Sequence, residues 1–317
     1  MISQSAKKYK IVYKILLKSS LNENVILKIL TFYWHLLPKK LILLNWINPE
    51  KLDWIVLSKN TKAIDLLREN IHKIHWTNLS RNEEAIDLLK NYNKNINWKE
   101  LSLNKKAISL LEDNQDKIDW QLLSFNPNAI DLLKQNQDKI CWTNLSENLS
   151  GIELLKNNID KIYWYYLSAN PKAISIIKDN LDKVDWTSLS GNTMAIDILK
   201  NNLNKVNWKK LSQNEMAIDI LKDNKDKIDW SNLSFNEMAI DMLKDNLDKV
   251  NWNYLSLNKN AISILENHLD KVNWRILSLN TNAINILKYN QDKIDWCYLS
   301  FNKSIFINES IPDIKLL

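Results

Sequence analysis

Four kinds of residue in this chain could do chemistry by type and spacing. His72 and His75 stand three apart, Cys141 and Cys297 each adjoin a tryptophan, a serine follows a leucine in pairs from 57/58 to 299/300, and aspartates recur along most of the length. Residues of these types ligate metals, form thiolates, act as nucleophiles and move protons. The two histidines fill slots that Asp116 and Asp119 fill elsewhere, and no cysteine or carboxylate cluster accompanies them, so they read as substitutions and not as a metal site. Cys141 precedes its tryptophan and Cys297 follows its own, in distant copies of one pattern. Each serine of the Leu-Ser pairs is a repeated element suited to a local backbone hydrogen bond, with no His and Asp set beside it. The aspartates form ladders and not facing pairs. No catalytic, metal or cofactor residue is assigned, and the chain reads as non-enzymatic.

What positions all of these residues is a repeat. Tryptophan occurs at 54, 76, 98, 120, 142, 164, 186, 208, 230, 252, 274 and 296, a spacing of 22 without insertion or deletion. Eleven full repeats follow, each approximating Trp-x-x-Leu-Ser-x-Asn-x-x-Ala-Ile-Asp-Leu-Leu-Lys-x-Asn-x-Asp-Lys-Ile-Asp. The Asn at the seventh position (60 through 302) reads as a helix N-cap, which the prolines at 127 and 171 support by falling at the first helical position. Ala63, Ile64 and Leu67 then share a helical face, and the spacing predicts about nine helical residues ending near Asn70, Asn114, Asn136 and Asn158, where a left-handed cap is expected. The remainder allows one tight α or 3-10 turn, capped by Asp116, with Trp120 and Leu123 pointing inward. The Trp ladder reads as the buried energetic centre, an indole removing ~150–250 Å² from water. Lysines at the fifteenth position (Lys90, Lys134) and the twentieth (Lys117, Lys139, Lys161, Lys183) read as a solvated face mixed with Asp rows.

The fold class that follows is all-α, an α-solenoid of about eleven 22-residue repeats, each one α-helix plus one short α or 3-10 helix. At ~9 Å per repeat this predicts a curved rod of roughly 100 Å. Residues 41–53 match the period as a degenerate first repeat within an array spanning 41–304, and 305–317 reads as a C-terminal cap. Upstream, 1–40 holds two amphipathic helices, the second stopped by Pro38, and reads as a helical N-terminal cap. Two glycines in 317 residues, Gly151 and Gly191, are too few for a phosphate loop or a β-rich fold.

The net charge of +6 sits entirely at one end. Residues 1–53 carry nine lysines against three acids, whereas 54–296 balances 32 basic against 32 acidic side chains. The array therefore has no long-range pull on a phosphate backbone, and nucleic acid is expected as a partner only through the basic N-terminal segment, if at all. No run of 18 apolar residues and no secretory leader pattern is found, which predicts a soluble protein without a membrane partner. Two widely separated cysteines suit a reducing compartment.

The positions that vary between repeats are the two after each Trp and the one between Ser and Asn. Several are large and apolar or aromatic: Phe125, Tyr165, Tyr166, Phe235, Tyr254, Ile276, Tyr298 and Phe301. On one ridge they would anchor a protein partner; alternatively the Phe members pack between neighbouring repeats.

Leu123-Ser-Phe-Asn-Pro-Asn-Ala-Ile130 together with Asp116-Lys-Ile-Asp-Trp120 resembles the short tandem repeats of proteins encoded by giant amoeba-infecting DNA viruses, over about 41–304. The resemblance implies a virus-encoded protein acting in the cytoplasm of an infected host cell, from a family without an assigned activity. In outline the unit is also similar to the leucine-rich-variant solenoid. Leu21-Asn-Glu-Asn-Val-Ile-Leu-Lys-Ile-Leu-Thr-Phe-Tyr33 resembles the opening helix of an F-box, although Asn22 stands where that motif has proline; this implies docking on a ubiquitin ligase. The expected function is a non-enzymatic repeat scaffold that mediates protein–protein interaction, with an F-box-like substrate adaptor and nucleic-acid binding through the N-terminus as the alternatives.

Overall fold

The computed structural model describes residues 4–37 and 39–311, so the portion of the expected C-terminal cap beyond Ile311 lies outside the described residues. Within each repeat the chain forms two short helices. The unit that starts at Trp120 shows why. Asp119, in extended backbone, accepts from Leu122 N at 2.9 Å and starts the helix Trp120–Leu123. Asn126 then caps the next turn by accepting from Asn128 N at 3.1 Å, and the helix Ile130–Gln135 follows. It stops at Asn136, a 3-10 turn spans Gln137–Lys139, and extended Ile140 leads to the next tryptophan. Leu123, Ala129 and Leu133, no more than 1% exposed, form this unit's share of one continuous core. The alanine lets the two helices approach closely.

Three local expectations are corrected. Asp119 and its equivalents cap the Trp helix, while Asp116 lies inside the 3-10 turn. Asn70, Asn114, Asn136 and Asn158 are not left-handed: their φ values run from −131° to −142°, and among the described residues no backbone has positive φ. Each instead returns its side-chain amide to the carbonyl four residues earlier, as Asn136 does to Leu132 at 3.0 Å. The twelve repeat tryptophans are half-buried at the margin of the core, not its centre.

The largest correction concerns shape: the array is a closed ring, not a rod. Neighbouring units meet chiefly through their Trp helices, whereas consecutive Ile helices approach less closely, so the stack curves with the Trp layer inside. Twelve units at about 30° each complete the turn. The last Trp helix, Trp296–Phe301, packs on the first, Trp54–Leu57. The twelfth unit is built from both ends of the array. Residues 296–305 supply its Trp helix and Asn cap, and 48–53 supply its closing 3-10 turn. Where an Ile helix would stand, strand β1 (Leu41–Leu43) pairs antiparallel with strand β2 (Phe306–Asn308), Ile42 opposite Ile307, and β1 packs on the helix Ile64–Glu69. The degenerate first repeat and the start of the expected C-terminal cap are thus two halves of one unit.

The N-terminal segment is a separate helical hairpin, α1 (Gln4–Leu16) and α2 (Glu23–Leu36), with Asn22 capping α2. Tyr9, Leu30 and Trp34 form its own small core, distinct from that of the ring, with Tyr9 edge-on to Trp34 at 5.4 Å. Because the first repeat is already covered by the last, the hairpin has no open repeat face to cap. No helix among the described residues is long and apolar enough to cross a membrane.

Candidate functional site

Three repeated contacts hold the inner layer in place. The Leu-Ser serine donates to the preceding Trp carbonyl and accepts from the backbone N–H seventeen residues on: Ser124 Oγ to Trp120 O at 2.8 Å and from Cys141 N at 3.0 Å. The capping asparagine donates backward across the junction, Asn126 Nδ2 reaching Ser102 O and Asn104 O, both at 3.1 Å. Thus one amide caps its own helix with its oxygen and ties the previous unit with its nitrogen, which makes its invariance a requirement of stacking. The third contact was absent from the sequence reading. Each lysine at the twentieth position lies over its unit's tryptophan, as Lys139 does over Trp120 at 4.5 Å. The signal was there to find: the unit of Trp76 has Asn95 in that slot, and Tyr92 packs on the indole instead, at 5.3 Å.

With Leu and Ser turned into the core, the three variable positions of every Trp helix are left on the concave side. At ~9 Å between helix axes the ring measures roughly 110 Å round and leaves an opening on the order of 20 Å. The predicted partner residues all lie on this inner wall. Tyr165 and Tyr166, in edge-to-face contact at 5.2 Å, share a hollow of about 450 Å³ with Phe235, floored by Ala169, Ser188 and Gly191. Phe125 lies in a second hollow, of about 500 Å³, with Leu103, Leu122 and Pro127; it is half-buried there, as packing between repeats would have it. Tyr254, Ile276, Tyr298 and Phe301 continue along the arc towards the closure and share neither hollow. Tyr298 lies under the Arg275 guanidinium at 4.5 Å.

The candidate chemical groups remain structural. His75 Nδ1 accepts from Asn78 N at 3.3 Å and so does the capping work of the aspartate it replaces. Cys141 stands in the same slot without a capping bond. Cys297 faces Asp53 across the closure; burial first, then the hydrogen bond to Asp53 and its negative charge, push the thiol above its ordinary value. Among the described residues no three His, Cys, Asp or Glu side chains converge. The architecture is that of a repeat scaffold, a fold type that is generally non-catalytic. Comparison with protein-family models, with curated proteins and with solved structures finds no match to this chain.

Proposed function

We propose that the ring is a non-enzymatic scaffold that binds a protein partner on its inner wall and, following the viral resemblance, that the partner is a host protein met in the cytoplasm of an infected cell. One observation carries this reading. The positions free to vary between repeats fall on a single concave surface, and several of their aromatic members are left exposed, Tyr165 at 59% and Phe235 at 43% among them. Exposed aromatic side chains on a rigid, curved support are the usual anchors of protein interfaces. Affinity capture from host-cell lysate with the full chain, beside Tyr165→Ser/Phe235→Ser and Tyr254→Ser/Tyr298→Ser variants, tests it. Partners lost with the wall variants support the reading; capture unchanged by both pairs overturns it.

A second reading rests on the hairpin. On α2 the residues Val25, Ile29, Phe32 and Leu36 form an exposed stripe on a different face from Ile26, Leu30 and Trp34, which are buried against α1. A helix apolar on two faces has one face for its own core and another for a partner. That favours the F-box-like adaptor, with the hairpin docking on a ubiquitin ligase and the ring holding the substrate. It also weighs against nucleic acid as the hairpin's ligand, since phosphate contacts use lysines and not a stripe of Val, Ile, Phe and Leu. Loss of ubiquitin-ligase subunits alone from the capture by Ile29→Glu/Phe32→Glu would support this reading; their absence from the wild-type capture would sink it.

A further inference from the structure

The two glycines of the chain stand in opposite positions. At Gly151 a Cβ would meet Leu145 Cδ1 at 2.7 Å, so the leucine end would have to shift to admit the alanine that fills this slot in other units, such as Ala129. At Gly191 a Cβ would meet only Ser188 O, at an ordinary 3.6 Å, and the backbone (φ −85°, ψ −9°) suits any residue. Neither conformation nor packing requires Gly191. What its missing side chain does is leave space. The same slot holds Phe125, Phe235 and Phe301 in other units and Ala169 in the preceding one. Two successive small residues therefore open the hollow flanked by Tyr165, Tyr166 and Phe235.

The rim of this hollow has two charges of opposite sign. Glu147 stands on the near side and Lys210 on the far side, three units apart, and neither makes an ion pair in the ring. Elsewhere on the wall Arg81 pairs with Glu100 and Arg275 with Asp295, at 3.8 and 3.7 Å. Ser188 uses its backbone N–H to bond Asp185, while its hydroxyl has no partner in the ring. We propose that this hollow is the anchor site for a linear segment of the partner polypeptide. An aliphatic or aromatic side chain of that segment enters over Gly191 and Ala169, between the tyrosines and Phe235. A basic residue on one side of the anchor reaches Glu147, an acidic one on the other side reaches Lys210, and main-chain groups bond the Ser188 hydroxyl. At ~9 Å per unit the two charges lie roughly 27 Å apart along the wall, the reach of about eight extended residues. The order of charges fixes the direction in which the segment lies. This inference rests on the inner-wall reading above.

The test is to pan a random linear-peptide display library on the immobilised full chain and to measure the selected peptides by fluorescence anisotropy. The expected consensus is an apolar anchor with basic and acidic residues on opposite sides. Gly191→Phe, which fills the hollow at an unstrained position, should keep the wild-type melting temperature and weaken these peptides at least tenfold. The double reversal Glu147→Lys/Lys210→Glu should prefer peptides with the charge order inverted. An empty selection overturns the proposal, as do peptides that bind Gly191→Phe with unchanged affinity or ignore the charge reversal. If Gly191→Phe leaves lysate partners in place while the wall pairs above remove them, the inner-wall reading stands and the anchor site falls.

Discussion

Eleven units of the ring are continuous stretches of chain, and the twelfth is assembled from both ends. At the closure Asp53 N donates to Ser300 Oγ at 2.8 Å, as His75 N does to Ser58 Oγ at 2.9 Å. Asn60 reaches Ser300 O and Asn302 O, as Asn82 reaches Ser58 O and Asn60 O. Lys51 lies over Trp296 at 4.9 Å, as Lys73 lies over Trp54 at 4.6 Å. The contacts are the same with and without a peptide bond, so they are set by unit geometry and not by connectivity. An open array must shield two end faces from water; here each end is the other's neighbour, and what differs is confined to the paired strands standing for one Ile helix.

Removing a core leucine on each side of the comparison should have the largest effect. Leu167 lies inside the array and Leu299 at the closure, and both are fully buried. Leu167→Ala should cost about 2–5 kcal/mol in urea unfolding, and Leu299→Ala the same. A closure value below about 1 kcal/mol would mean that the ends separate in solution. Next come the ladder amides. Asn170→Ala removes a cap and two donors to buried carbonyls, for about 2–3 kcal/mol. Asn60→Ala at the closure should match it, with the same unfolding measurement deciding.

The period, the two-helix unit and the Asn cap were legible because they are local: a 22-residue spacing and a capping side chain leave their marks on residue types. Closure was not. It depends on a small difference in spacing between the Trp and Ile layers, which no residue type encodes, and the strands that complete it replace Ala-Ile with Ile305-Phe306, which reads as decay of the pattern. The partner-facing residues were legible as variation on a constant frame, since freedom to vary marks the positions the core does not use. Gly191 was not, because a glycine reads as backbone geometry until its surroundings show that the geometry needs none.

Smaller effects sharpen the comparison. Lys139→Ala and Lys51→Ala each remove one cation from one indole, and each should cost about 0.5–1 kcal/mol. Equality again signals a closure equivalent to any other junction. Thermal melts of Asn95→Lys, at the one internal repeat where the lysine is missing, should show a gain no larger than that.

The smallest effect belongs to a contact that only the closure has. Cys297 is an exposed residue whose thiol proton is held by partial burial of the sulfur and by Asp53. Since folding raises its pKa, the protonated form is favoured in the closed ring. That contribution is whole below the ordinary thiol value of about 8.5 and is lost as pH rises from there through the folded value. Alkylation by iodoacetamide should therefore be slower at Cys297 than at a free thiol near pH 8.5. Asp53→Asn removes the charge but keeps the cap, as Asn97 and Asn207 do in the same slot, and should speed the reaction. An alkylation rate unmoved by Asp53→Asn would mean that Asp53 and Cys297 are not in contact in solution, leaving the closure to the contacts it shares with every other junction.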